Sequence, residues 1–128
     1  CHYIGEDRGI VEVSTSQGPL KIMLWHGEDG SSGLSYSLRA QKVLDSLNVR
    51  ELPHLLLTGH THKMCYLYND LKDVHVFSGG ALCGQSSWMK GKKLENHSGF
   101  FIIEATMKNG VVSKCKSTWY PVHPQPEC

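Results

Sequence analysis

Leu55-Leu56-Leu57-Thr58-Gly59-His60-Thr61-His62 sets three adjacent leucines against a glycine and two histidines. A short continuous apolar run, entered just after Pro53, is what a strand covered on both faces requires, and it stops where the glycine breaks the pattern. His60 and His62 therefore sit where the chain leaves a sheet, and loop geometry can aim both rings at one place. Were the strand to continue through them, alternation would still set both on one face.

Toward the N-terminus the same arrangement recurs. Ile10 to Thr15 alternates apolar and polar residues, Gln17-Gly18-Pro19 supplies a turn, and Leu20 to Trp25 alternates again, which predicts a β-hairpin. The second run ends at His26-Gly27, and Glu28-Asp29-Gly30-Ser31-Ser32-Gly33 cannot continue a strand. Between this loop and Leu55, the residues Leu38, Val43, Leu44 and Leu47 recur at helical spacing with polar residues between them, which predicts one amphipathic helix over 35–47, capped by Ser35 or Ser37.

Toward the C-terminus, Met64 to Tyr68 and Val74 to Phe77 read as two short strands around Asn69-Asp70, the second closed by Ser78-Gly79-Gly80. Leu82 to His97 has no period and reads as a long surface loop. Phe100 to Glu104 and Val111 to Thr118, split by Asn109-Gly110, predict a second hairpin. The tail 121–128 carries three prolines and reads as an extended arm or linker. The sum is an α/β or α+β domain with a sheet-dominated core, one clear helix and six or seven strands, of which α/β is the first expectation.

The composition bounds the function. A chain of 128 residues, 40% hydrophobic and 20% charged, is of ordinary globular type and can bury roughly two-thirds of its unfolded surface without staples. The net charge of +1 argues against a nucleic-acid partner held by bulk electrostatics, so any phosphate affinity must be local. No run of 18 or more apolar residues occurs, which predicts no membrane partner. Cys1-His2-Tyr3-Ile4-Gly5 lacks the basic start and apolar stretch of a signal peptide. Five cysteines at wide spacing, without Cys-x-x-Cys, read as reduced thiols, and the expectation is a cytoplasmic chain.

Imidazole is a common ligand for Zn, Fe, Mn and Ni, and the ends of strands in a rigid sheet hold such ligands well. On Leu24-Trp25-His26-Gly27, an intervening helix, and Leu56-Leu57-Thr58-Gly59-His60-Thr61-His62-Lys63, the sequence resembles the calcineurin-like metallophosphoesterase superfamily. Ser78-Gly79-Gly80 matches the small-residue strand end of that family, and Gly99 to Glu104 looks like its closing strand. The resemblance covers roughly 10–118. It implies that His26 and His60 bind one of two divalent metal ions and His62 the other, with Mn the first expectation and Fe, Zn or Ni as alternatives. It also implies a fold in which 1–120 forms the C-terminal half of a β-sandwich flanked by helices. The activity implied is hydrolysis of a phosphodiester or phosphomonoester, a nucleotide or nucleic acid among the substrates, by water that the ions acidify.

The family begins with Asp-x-His, Gly-Asp and Gly-Asn-His-Asp/Glu, which supply carboxylates, an Asn ligand and a further histidine, and none of these occurs ahead of His26-Gly27 here. The resemblance therefore implies a site completed by the N-terminal half of the same domain, from an upstream segment or another chain, and an inactive isolated segment. Two other readings stand beside it: a non-catalytic scaffold or binding subunit that keeps the fold, and a mononuclear His-rich metal module. Asn96-His97, flanked by Glu95 and Ser98, comes after Gly-His-x-His and reads as a structural or surface pair. His2, His54, His75 and His123 lack motif context and read as satisfied or exposed. Lys90, Lys92 and Lys93, with Trp88, fit either a phosphate or nucleobase contact or a solvated loop, the simpler reading. Glu28 and Asp29 either orient His26 or solvate their loop.

Overall fold

The computed structural model describes residues 5–27, 36–123 and 126. Seven strands and two helices follow in the order β1 (Arg8–Val13), β2 (Leu20–Trp25), α1 (Tyr36–Asp45), β3 (Leu55–Thr58), β4 (Met64–Asn69), β5 (Val74–Gly79), α2 (Ser87–Gly91), β6 (Gly99–Lys108) and β7 (Val111–Pro121). Five strands form one sheet in the order β1-β2-β3-β5-β4, and β6 and β7 form a second. The α/β class, the one clear helix and the six or seven strands read from the sequence are present, but the strands form two sheets, where this segment is expected to contribute one. The predicted helix starts at Tyr36, so Ser37 lies inside it, and Ser35 lies outside the described residues.

The β1–β2 hairpin is antiparallel with Val13 opposite Leu20. β3 then lies parallel between β2 and β5, with Trp25 opposite Thr58 and Thr58 opposite Ser78. Parallel neighbours need a crossover, and α1 lies in the connection between β2 and β3. Burial on both faces explains why β3 is a leucine run rather than an alternation, with Leu55 and Leu56 at 4% and 0% exposure.

The helix packs on one face of the large sheet. Ala40, Leu44 and Leu47 meet Met23, Leu56, Val74 and Val76, with Trp25, Val43, Leu52 and Leu67 partly buried around them. Leu38, expected on the apolar stripe, is 46% exposed, and Ala40 is buried in its place. On the other face, the Phe77 ring meets Phe101 edge-on at 5.5 Å, and Phe101 meets Trp119 edge-on at 5.1 Å, which docks the β6–β7 hairpin through aromatic contacts.

Two further expectations change. The stretch from Leu82 to His97 is not a plain surface loop: it contains α2, whose N-cap Ser86 accepts from the Met89 N–H, and Leu94 N–H bonds back to the Met89 carbonyl. Cys65 and Cys115 are free thiols whose pKa burial pushes up, but Cys83 is disulfide-bonded. The step from reduced thiols to a cytoplasmic setting thereby loses its premise. Cys1, Cys128, Glu28, Asp29 and His2 lie outside the described residues. Among the described residues no helix is long and apolar enough to cross a membrane.

Candidate metal centre

The carboxyl ends of β2, β3 and β5 lie side by side because their register aligns Trp25, Thr58 and Ser78. In open sheets this edge is where ligands bind, because the chain turns away there and leaves a crevice. The next residues along the chain are His26-Gly27, Gly59-His60 and Gly79-Gly80. The glycines make the close approach possible. Gly27 has φ 87°, and a Cβ on it would stand 2.7 Å from the Gly59 carbonyl oxygen. Gly80 has φ 67°, and its Cβ would meet the His97 carbonyl oxygen at 2.6 Å and the Trp119 ring at 2.8 Å.

His26 Nε2 and His60 Nδ1 are 3.1 Å apart, with ring centroids at 4.8 Å and planes inclined by 60°. Two imidazole lone pairs do not face each other bare at that separation. Either one nitrogen carries a proton that the other accepts, or a cation lies between them. With metal–nitrogen distances of about 2.1 Å, a 3.1 Å separation is that of two ligands on one ion at close to a right angle. Both side chains are exposed, so solvent or a partner surface can reach the pair. An open hollow of about 390 Å³ beside it is lined by Glu6, Asp7, Arg8, Trp25, His26, Thr58 and Gly59 among others.

The Gly-His-x-His loop is strained. His60 and His62 have φ of 68° and 56°, in the left-handed region where residues other than glycine are uncommon. Thr61 between them donates its N–H to Gly59 at 2.8 Å, and its buried hydroxyl has no hydrogen-bond partner among the described residues. Strain of this kind persists only where the surroundings hold it, and it concentrates at functional sites. Here the restraints are visible: the Ser78 hydroxyl donates to the Lys63 carbonyl, and His97 N–H donates to the His62 carbonyl at 2.8 Å.

The structure brings His26 and His60 together. It does not group His62 with them, and among the described residues no cluster of three or more His, Cys, Asp or Glu stands ready for a metal ion. His62 Nδ1 instead meets Asn96 Oδ1 at 2.9 Å. The Asn96-His97 pair is therefore more than surface decoration: Asn96 touches the motif histidine, and His97 Nδ1 accepts the Met64 N–H at 2.9 Å. An ion pair, Lys63 Nζ to Glu95 Oε2 at 3.5 Å, ties the same two segments. No local period signals this contact; the only hint in the sequence is an Asn-His pair in an otherwise patternless stretch.

Among the other described histidines, His54 and His75 have structural partners. His54 accepts the Lys21 N–H at Nδ1 and meets the Gly110 carbonyl at Nε2. His75 meets the Tyr66 hydroxyl at 2.9 Å. His123 is exposed. Trp88, Lys90, Lys92 and Lys93 are exposed on and after α2, as the solvated-loop reading expects.

No family model matches the sequence, and no curated protein matches it. Among solved structures the chain is similar to Vps29 from Entamoeba histolytica complexed with Zn2+, at 21% identity and TM-score 0.48, over 88% of this chain and 60% of that one. It is similar to an archaeal phosphodiesterase, at 19% identity and TM-score 0.46, over 87% of this chain and 50% of that one. It is also similar to Vps29 from Cryptosporidium parvum, at 18% identity and TM-score 0.45, over 88% and 57%. The chain thus spans between 50% and 60% of the length of these structures, which have the calcineurin-like metallophosphoesterase fold.

Proposed function

We propose that this chain, whose α/β two-sheet architecture is consistent with a metallophosphoesterase-type fold, supplies the histidine side of a dinuclear metal site for phosphoester hydrolysis. The observation that carries the reading is the 3.1 Å approach of His26 Nε2 to His60 Nδ1 at the carboxyl ends of parallel strands. In it, His26 and His60 hold one divalent ion and His62 holds the second. Divalent ions bound there supply Lewis acidity and lower the pKa of coordinated water.

The residues of this chain do the holding and aiming. Neutral imidazoles offer lone pairs from a rigid sheet edge, and the glycines keep the loops close enough for the rings to meet. Imidazoles alone do not neutralise two dications, so the carboxylates come from the N-terminal half of the domain, as a segment of the same polypeptide or another chain. Mn is the favoured ion, with Fe, Zn and Ni as alternatives that the same ligand types accept. The substrate is a phosphodiester or phosphomonoester. Because coordination needs deprotonated rings, acid releases the ions.

The test measures Mn2+ binding to the chain calorimetrically, and hydrolysis of bis-p-nitrophenyl phosphate by the protein that contains it. His26→Ala and His60→Ala are each expected to weaken Mn2+ binding by about tenfold or more and to reduce turnover severely, whereas His123→Ala leaves both unchanged. Equal behaviour of all three variants would dismiss the site. Metal binding by the wild type without hydrolysis would favour the scaffold reading instead.

A further inference from the structure

The hydrogen bonds around Asn96 form a closed argument about which nitrogen of His62 carries a proton. Asn96 Nδ2 lies 3.0 Å from the Cys83 carbonyl oxygen and 3.0 Å from Ser98 Oγ. A carbonyl oxygen only accepts, so the amide atom facing it is the NH2 group. Ser98 Oγ donates to the same Cys83 carbonyl at 3.0 Å, which leaves its lone pair for the second amide hydrogen. Turning the amide over would set two oxygens against each other at Cys83.

Asn96 Oδ1 is thereby fixed toward His62, and an oxygen at 2.9 Å from Nδ1 requires a hydrogen on that nitrogen. The remaining ring nitrogen, Nε2, then carries the lone pair. We infer that Asn96 is a positioning residue, which holds His62 in the Nδ1–H tautomer and so keeps Nε2 as its metal-binding atom. The metal-binding half of this statement rests on the function proposed above; the tautomer does not.

The arrangement also accounts for the backbone of the loop. His62 sits at φ 56°, and the segment that presents Asn96 grips it twice more, through His97 N–H on the His62 carbonyl and His97 Nδ1 on the Met64 N–H. The ring is held at its nitrogen, and the main chain at the His62 carbonyl and at Met64 just beyond it. A ligand whose orientation is fixed in this way loses little freedom on binding an ion, and partners of this kind are worth about 10–100-fold in metal affinity. Asn96 is reached from a disulfide-bonded residue, Cys83, whose carbonyl anchors both the amide and the Ser98 hydroxyl.

The test uses the whole chain with 15N-labelled histidine, without metal, at about pH 8, above the ordinary histidine range. Ring proton–nitrogen correlations of His62 are expected to show the Nδ1–H form in the wild type and its loss in Asn96→Leu. Mn2+ affinity should fall by about 10–100-fold in Asn96→Leu. An Nε2–H ring in the wild-type chain overturns the assignment, and that reading stands even if the leucine variant fails to fold. Unchanged tautomer and affinity in a folded Asn96→Leu overturn it too. Absence of Mn2+ binding by the wild type, with the Nδ1–H form intact, removes the metal reading alone.

Discussion

At Gly27 the missing side chain is a structural requirement, since φ is 87° and the Gly59 carbonyl fills the space that a Cβ needs. Gly27→Ala is expected to cost roughly 1–3 kcal/mol of stability and to separate His26 from His60. Thermal unfolding and Mn2+ titration check this, and an unchanged melting temperature with unchanged affinity contradicts it. His75 supports a different prediction. Burial pushes its pKa below the ordinary histidine value, with Asp73 acting the other way, and its Nδ1 meets the Tyr66 hydroxyl. A lower pKa in the folded state means that the unfolded chain binds more protons below about pH 6.5, so stability rises with pH through that window and is lost as pH falls toward the folded value. His75→Gln should flatten this part of the stability profile; an identical slope argues against the burial effect. His26 and His60 were legible because each follows a strand and adjoins a glycine. Asn96 was not, because its contact reaches a residue 34 positions away and leaves no trace in local pattern.

Among the elements, the strands announced themselves by period and length, and the helix by its apolar spacing. The helix face was read correctly at Val43, Leu44 and Leu47 but not at its start: Leu38 fits the spacing, yet Ala40 is the residue against the sheet, because the sheet selects which side of a broad stripe is covered. Leu56→Ala, at the centre of β3 with a fully buried side chain, should cost about 2–5 kcal/mol, and Leu38→Ala should stay within about 0.5 kcal/mol. Chemical denaturation of the two variants separates these cases, and equal losses would contradict the observed helix orientation. α2 escaped notice because a five-residue helix is too short to show an apolar repeat. β6 runs to Lys108, beyond the predicted Glu104, because pairing with β7 carries the ladder through Ala105 and Thr106.

For the whole molecule, local pattern did not disclose that β3 lies between β2 and β5, since parallel pairing joins strands distant in sequence. That pairing nevertheless makes the site, because it aligns three strand ends and delivers His26 and His60 to one edge. The disulfide at Cys83 was equally invisible, spacing alone being unable to pair cysteines. The central claim is that His26 and His60 share one ion. It is tested most directly by adding Mn2+ at less than one equivalent to the chain with 15N-labelled histidine and following which ring signals its paramagnetism erases. The signals of His26 and His60 are expected to vanish first while those of His54 and His75 persist. Uniform broadening of every histidine, or earlier loss at His54 or His75, would contradict it.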